Sequence, residues 1–122
     1  MITAAIVTML AAAAGPDLTG SWRLDGKVES FAYTLDCRLT QNGSALSGVC
    51  TDVATSDAEH KPQGSHTLTM GKIEGDKVTF AYQTRFLAIP FNVTYSGVLN
   101  GETIRGDITV PGRRGRFTAV RR

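Results

Sequence analysis

From Leu18 onward, polar and apolar residues alternate with a period of two over short stretches, each closed by a turn-forming cluster. That period puts successive side chains on opposite faces of a strand. No stretch carries the 3.6-residue period of an amphipathic helix. The pattern predicts eight strands, at about 19–25, 29–41, 46–53, 66–74, 77–86, 91–99, 102–110 and 115–122. Gly43-Ser44, Gly75-Asp76 and Asn100-Gly101 read as two-residue hairpin loops. A weak internal repeat, Gly71-Lys72-Ile73-Glu74-Gly75 returning as Gly97-Val98-Leu99-Asn100-Gly101, marks consecutive hairpins, and hairpins in series make a meander.

These registers decide which side chains share a face. One face gathers Phe31, Tyr33, Leu35, Leu39, Leu46, Ile73, Val78, Phe80, Tyr82, Phe91, Val93, Tyr95, Leu99, Ile104, Ile108, Val110 and Phe117. The other is mostly Thr, Ser, Asp, Arg and Lys. One apolar and one wet face across eight strands fits a sheet closed on itself. The expected fold is therefore all-β: an eight-stranded antiparallel up-and-down barrel. Gly48, Gly71, Gly97 and Gly106 fall on the inner face, opposite Leu39, Phe80, Ile104 and Tyr95. Turning at Gly43-Ser44 sets Cys37 opposite Cys50 at a non-hydrogen-bonded pair, where Cα atoms lie about 4.5 Å apart, within disulfide reach. Closing that loop stabilises by roughly 3 kcal/mol in the chain-entropy model. The alternative, a redox-active pair, lacks the C-x-x-C spacing or helix start that lowers a thiol pKa.

In a meander barrel, alternate turns lie at alternate ends. The three tight turns share one end. The other four connections, Asp25–Val28, Ala54–Ser65, Leu87–Pro90 and Pro111–Gly115, share the opposite end and read as longer. One of them lies within R-F-L-A-I-P-F-N, residues 85–92, where Gly, Asn, Asp or Ser would be usual. Pairing Phe86 with Phe91, Thr84 with Val93 and Tyr82 with Tyr95 leaves Leu87-Ala88-Ile89-Pro90 as a four-residue apolar tip at an open mouth. Across it lie Arg113 and Arg114 and a loop with His60, Lys61 and His66. Three readings of the tip stay open: a ligand entrance, a plug or dimer contact, and a membrane contact.

Charge and composition narrow the class. A net charge of +2 is too small to imply nucleic acid, although Arg113, Arg114, Arg116, Arg121 and Arg122 crowd the last strand without an acid among them. Residues 1–14 are uncharged, apolar and followed by Gly15-Pro16, as in a signal peptide, though no Lys or Arg precedes the run; the other reading is an N-terminal tail. They are too short to span a bilayer, so no integral membrane segment is expected. The domain division is residues 1–14 as signal and 15–122 as one barrel, exported to the periplasm or medium. Two cysteines in an exported chain agree with one disulfide.

Gly20-Ser21-Trp22 opens the first strand. G-x-W at the start of an eight-stranded meander resembles the calycin superfamily of lipocalins, avidins and related barrels. The resemblance implies that Trp22 closes the sealed end and that a basic residue of the last strand packs across it. Arg121 shares parity with Phe117 and Ala119 and fills that role better than Arg122. The chain as a whole looks like small secreted barrel proteins with G-x-[IV]-x-G hairpins and an F-T-A-x-R ending. It is also similar to small inhibitors of secreted metalloproteases, which act through an N-terminal segment; Gly15-Pro16-Asp17-Leu18 is the corresponding stretch.

Catalytic motifs are scarce. Neither G-x-S-x-G nor H-E-x-x-H occurs. Ser65-His66 and Asp57 with His60 are loose pairs, and His60, His66, Asp57 and Glu59 read as a solvated loop before they read as a metal site. No catalytic residue, metal or cofactor is therefore assigned. The leading expectation is binding of a small hydrophobic or amphipathic molecule through Phe86, Leu87, Ile89 and Phe91 at the mouth. Tyr82 and Tyr95 would touch it inside, and Arg113 and Arg114 would steer an anionic group. The alternatives are protease inhibition or a homodimer around a filled barrel.

Overall fold

A computed structural model describes residues 17–56 and 64–122. Eight antiparallel strands follow in meander order and close into a barrel. They are β1 Gly20–Val28, β2 Phe31–Asn42, β3 Ala45–Thr55, β4 Ser65–Glu74, β5 Lys77–Phe86, β6 Ile89–Asn100, β7 Thr103–Val110 and β8 Arg113–Arg121. The barrel closes where β1 pairs with β8, from Trp22 opposite Arg121 to Val28 opposite Gly115. Closure leaves no sheet edge open to another chain. The fold is compatible with a calycin-like barrel. No helix among the described residues is long and apolar enough to cross a membrane.

The core is the inner face of the strands. Trp22, Leu24, Leu35, Phe80, Tyr95, Ile104, Ile108 and Phe117 are buried along its axis. Phe80 stacks on Tyr95 with ring centroids 4.9 Å apart, and Phe117 meets Tyr95 edge-on at 5.2 Å. Each such side chain contributes about 1.5–3 kcal/mol on full burial. Cys37 faces Cys50 across β2 and β3, and the two form a disulfide with a Cα separation of 3.9 Å.

Three connections are tighter than the sequence pattern predicts. All six connections described in full are two-residue turns: Glu29-Ser30, Gly43-Ser44, Gly75-Asp76, Leu87-Ala88, Gly101-Glu102 and Pro111-Gly112. Asp25–Val28 belongs to β1, and Arg113 and Arg114 belong to β8 rather than to a loop. Phe86 pairs with Ile89, Thr84 with Phe91 and Tyr82 with Val93, so the expected four-residue tip is a two-residue turn. Asn100 pairs with Thr103, which sets Gly97 opposite Gly106 and Tyr95 opposite Ile108. Both registers differ from expectation by two residues, which preserves the face each side chain occupies. The physical reason is the ladder. In β5–β6, shortening the loop by two residues adds backbone hydrogen bonds in a sheet that otherwise leaves those groups to water, whereas in β6–β7 the loop keeps two residues and moves one position along, to Gly101-Glu102.

Three irregularities also escape the simple alternation, one of them between Ala45 and Val49 on the β3–β4 ladder. Register also shifts between Leu68 and Met70 on β4 and between Thr34 and Leu35 on the β2–β3 ladder. The shift at Leu68 reconciles it with Ile73, since the two are five apart yet both face the core. Phe31, expected inside, is exposed at the barrel rim.

Candidate functional site

The two ends of the barrel differ in chemistry. The end holding the turns Gly43-Ser44, Gly75-Asp76 and Gly101-Glu102 is sealed by the segment before β1. Leu18 is buried there. Its N–H donates to Gln41 Oε1 at 2.8 Å, and its carbonyl accepts from Trp22 Nε1 at 2.9 Å. The Arg121 guanidinium lies 4.6 Å from the Trp22 ring centroid. It donates to the carbonyls of Thr19 and Asp17 at 3.1 and 2.7 Å and pairs with Glu102 at 2.6 Å. One side chain thus ties the N-terminal segment, β1 and the β6–β7 turn together. Leu18 is part of this seal, so the stretch proposed for protease contact is engaged by the barrel at Asp17 and Leu18.

The opposite end carries the predicted lip. Leu87 is 79% exposed, Ile89 67% and Phe86 50%. Phe91 is half-buried and packs on the core below them. Leu87 and Ala88 hold φ of 52° and 70°. Both signs belong to the primed turn that fits a two-residue hairpin, a conformation that normally selects Asn-Gly. Arg85 Nη1 reaches back to the Ala88 carbonyl at 3.4 Å. Arg113 pairs with Glu29 at 2.9 Å, so the cation predicted to steer a ligand already has an acid beside it. Arg114 alternates with Arg113 along β8 and so lies on the outer face of the strand. His60 and Lys61, with Asp57 and Glu59, lie outside the described residues, as do residues 1–14.

Beneath the lip is a polar cluster. Tyr95 Oη lies 2.7 Å from Tyr33 Oη and 2.8 Å from Tyr82 Oη. Three hydroxyls carry three protons and share two hydrogen bonds, so one proton of the cluster is left for a further acceptor. Burial raises all three pKa values. Tyr33 is pushed up to about 12, Tyr82 and Tyr95 further, and the charges that neighbouring tyrosinates and Asp52 would place nearby add to the effect. All three are therefore neutral hydroxyls in any ordinary buffer. His66 stacks on Tyr82 with centroids 4.6 Å apart, and its Nε2 lies 2.9 Å from Asp52 Oδ1. A carboxylate only accepts, so Nε2–H donates to Asp52.

The structure therefore joins Tyr82 and Tyr95, both predicted, to Tyr33, His66 and Asp52. Asp52 was legible in principle, since it lies two residues from the inward Cys50, but its charge assigns it to the wet face. The cluster presents a fixed set of hydrogen-bonding groups. Ser65, next to His66, instead bonds Thr51 at 3.1 Å. No group of three metal-binding side chains occurs among the described residues. A groove of about 270 Å³ is lined by Tyr33 of this cluster together with Thr55, and another of about 580 Å³ lies over Ser21 and Asp36; neither is lined by the lip. No family model, no curated protein and no solved structure matches the chain.

Proposed function

We propose that this protein is an exported, calycin-like binding barrel that takes a small hydrophobic or amphipathic molecule at its mouth. One observation carries the reading: an apolar lip of Phe86, Leu87 and Ile89 stands above a floor of hydroxyls and an imidazole. An apolar tail would rest on the lip while a polar group exchanged hydrogen bonds with the floor. The packed axis of the barrel limits the ligand to the rim, unlike a deep calyx. An anionic group would compete with Glu29 for Arg113. The disulfide supports an oxidising compartment, hence the periplasm or medium.

Native mass spectrometry of the oxidised chain with monomeric fatty acids tests this. A one-to-one complex, lost in Leu87→Asp with Ile89→Asp, is the expected result. A bare mass across every amphiphile tried would defeat it. The filled axis gives a second reading, protein contact through the same lip, which predicts concentration-dependent dimerisation or capture of a partner without any small molecule.

A further inference from the structure

We propose that the lip docks this protein onto the surface of an anionic lipid bilayer. The inference goes beyond binding of a free molecule and does not need it.

The first argument is where the apolar residues sit. Most exposed apolar side chains of this barrel are scattered singly along strands, as Val49, Met70, Val98 and Val120 are. Phe86, Leu87 and Ile89 instead project together from one turn at one end. A projecting tip can enter a flat, deformable surface that offers no preformed pocket. Apolar side chains of this kind seat at the boundary of headgroups and acyl chains.

The second argument is the turn itself. Leu87 and Ala88 occupy left-handed backbone positions that suit Asn-Gly. The local conformation is poorly served by these residues, so fold stability alone does not account for them. A strained turn that keeps an exposed leucine points to a function for the side chain.

The third argument is charge complementarity. From Lys77 to Gly101 the chain has no Asp or Glu, and none follows Asp107. Because β6 pairs with β7, the β5–β6 and β7–β8 hairpins are neighbours with tips at the same end. The apolar tip thus has Arg85 at its base and Arg113 and Arg114 on the hairpin beside it. Arg113 pairs with Glu29, whereas Arg85 and Arg114 have no ion pair among the described residues. An apolar point flanked by cations matches an acyl boundary overlaid by anionic headgroups.

Co-sedimentation of the full oxidised chain with vesicles tests the proposal. Phosphatidylcholine vesicles are compared with vesicles also containing phosphatidylglycerol. The protein is expected to sediment with the anionic vesicles, and less so as salt rises. Arg85→Gln and Arg114→Gln should each weaken partitioning about fivefold. Leu87→Asn with Ala88→Gly should abolish it while suiting the turn, so loss cannot be ascribed to misfolding. In Ile89→Trp, emission should shift to the blue on adding vesicles, over the constant signal of Trp22 buried at the far end. No sedimentation with anionic vesicles, or undiminished binding by the Asn-Gly variant, overturns the proposal. So does a stable dimer in vesicle-free solution that the Asn-Gly variant breaks, because the lip then belongs to a second copy. Fatty-acid binding in native mass spectrometry is read separately, so either reading can fail alone.

Discussion

Leu87 and Ala88 set a direct test at the scale of single residues. Side chains in the left-handed region cost roughly 1–2 kcal/mol each relative to residues that tolerate it. Leu87→Asn with Ala88→Gly relieves two such positions and should therefore raise stability by about 2–4 kcal/mol, at roughly 4–8 °C of Tm per kcal/mol for a domain of this size. Thermal unfolding followed by circular dichroism checks this; an unchanged or lower Tm would mean that the lip packs better than its exposure implies. Arg121 gives the opposite case. It combines an indole contact, two carbonyl bonds and an ion pair. Arg121→Met should cost about 2 kcal/mol, given 1.5–3 for bonds to a charged group and discounting its partial exposure. Arg122→Met is expected to stay within about 0.5 kcal/mol. The pairing of Trp22 with a cation was legible because parity in β8 separates Arg121 from Arg122. Parity with Cys50 pointed Asp52 inward, but its charge argued for solvent; in the fold it lies 2.9 Å from His66 Nε2.

Among the elements, the eight strands were legible from alternation and the turns were legible only where Gly led them. Gly43-Ser44 and Gly75-Asp76 sit where turn chemistry places them. Glu29-Ser30 and Leu87-Ala88 carry no such signal, and Asn100-Gly101 carries one that is two residues out of register. There the ladder overrules the local preference. The inner glycines explain part of this choice. Gly97 and Gly106 lie opposite each other, and a Cβ on Gly106 would fall on the Ser96 carbonyl and the Gly97 Cα. The β6 and β7 backbones pass too closely for any side chain there. Gly106→Ala should destabilise by about 3 kcal/mol or more, the range for overpacking against immovable neighbours. Gly43→Ala meets nothing within 4 Å and carries only the penalty of φ +67°, about 1 kcal/mol. Denaturant midpoints of the two variants make the comparison, and equal costs would place the strain elsewhere.

At the scale of the whole molecule, Tyr33, Tyr82 and Tyr95 are the three tyrosines of the chain, and all three share one buried cluster. Their ionisation is therefore coupled to folding with no background. In the unfolded chain each titrates near pH 10. In the folded chain burial raises Tyr33 to about 12 and the other two further. Above about pH 10 the unfolded state thus binds fewer protons than the folded state, and stability falls as pH rises. It is fully present below that point and declines by up to about 1.4 kcal/mol per pH unit for each tyrosine until that group ionises in the folded barrel. Two measurements should agree. Denaturant unfolding should show stability independent of these groups near pH 8 and falling steeply from about pH 10 upward. Tyrosinate absorbance of the native protein should stay flat through pH 10 and then rise together with the loss of strand signal, since exposure and ionisation are one event. Tyr82→Phe should make the alkaline slope shallower by one proton's share while leaving two hydroxyls still bonded. A native protein that develops tyrosinate absorbance smoothly around pH 10, with its strand signal intact, would show that water reaches the floor of the mouth. The cluster would then be a solvated surface rather than the closed base on which the apolar lip stands.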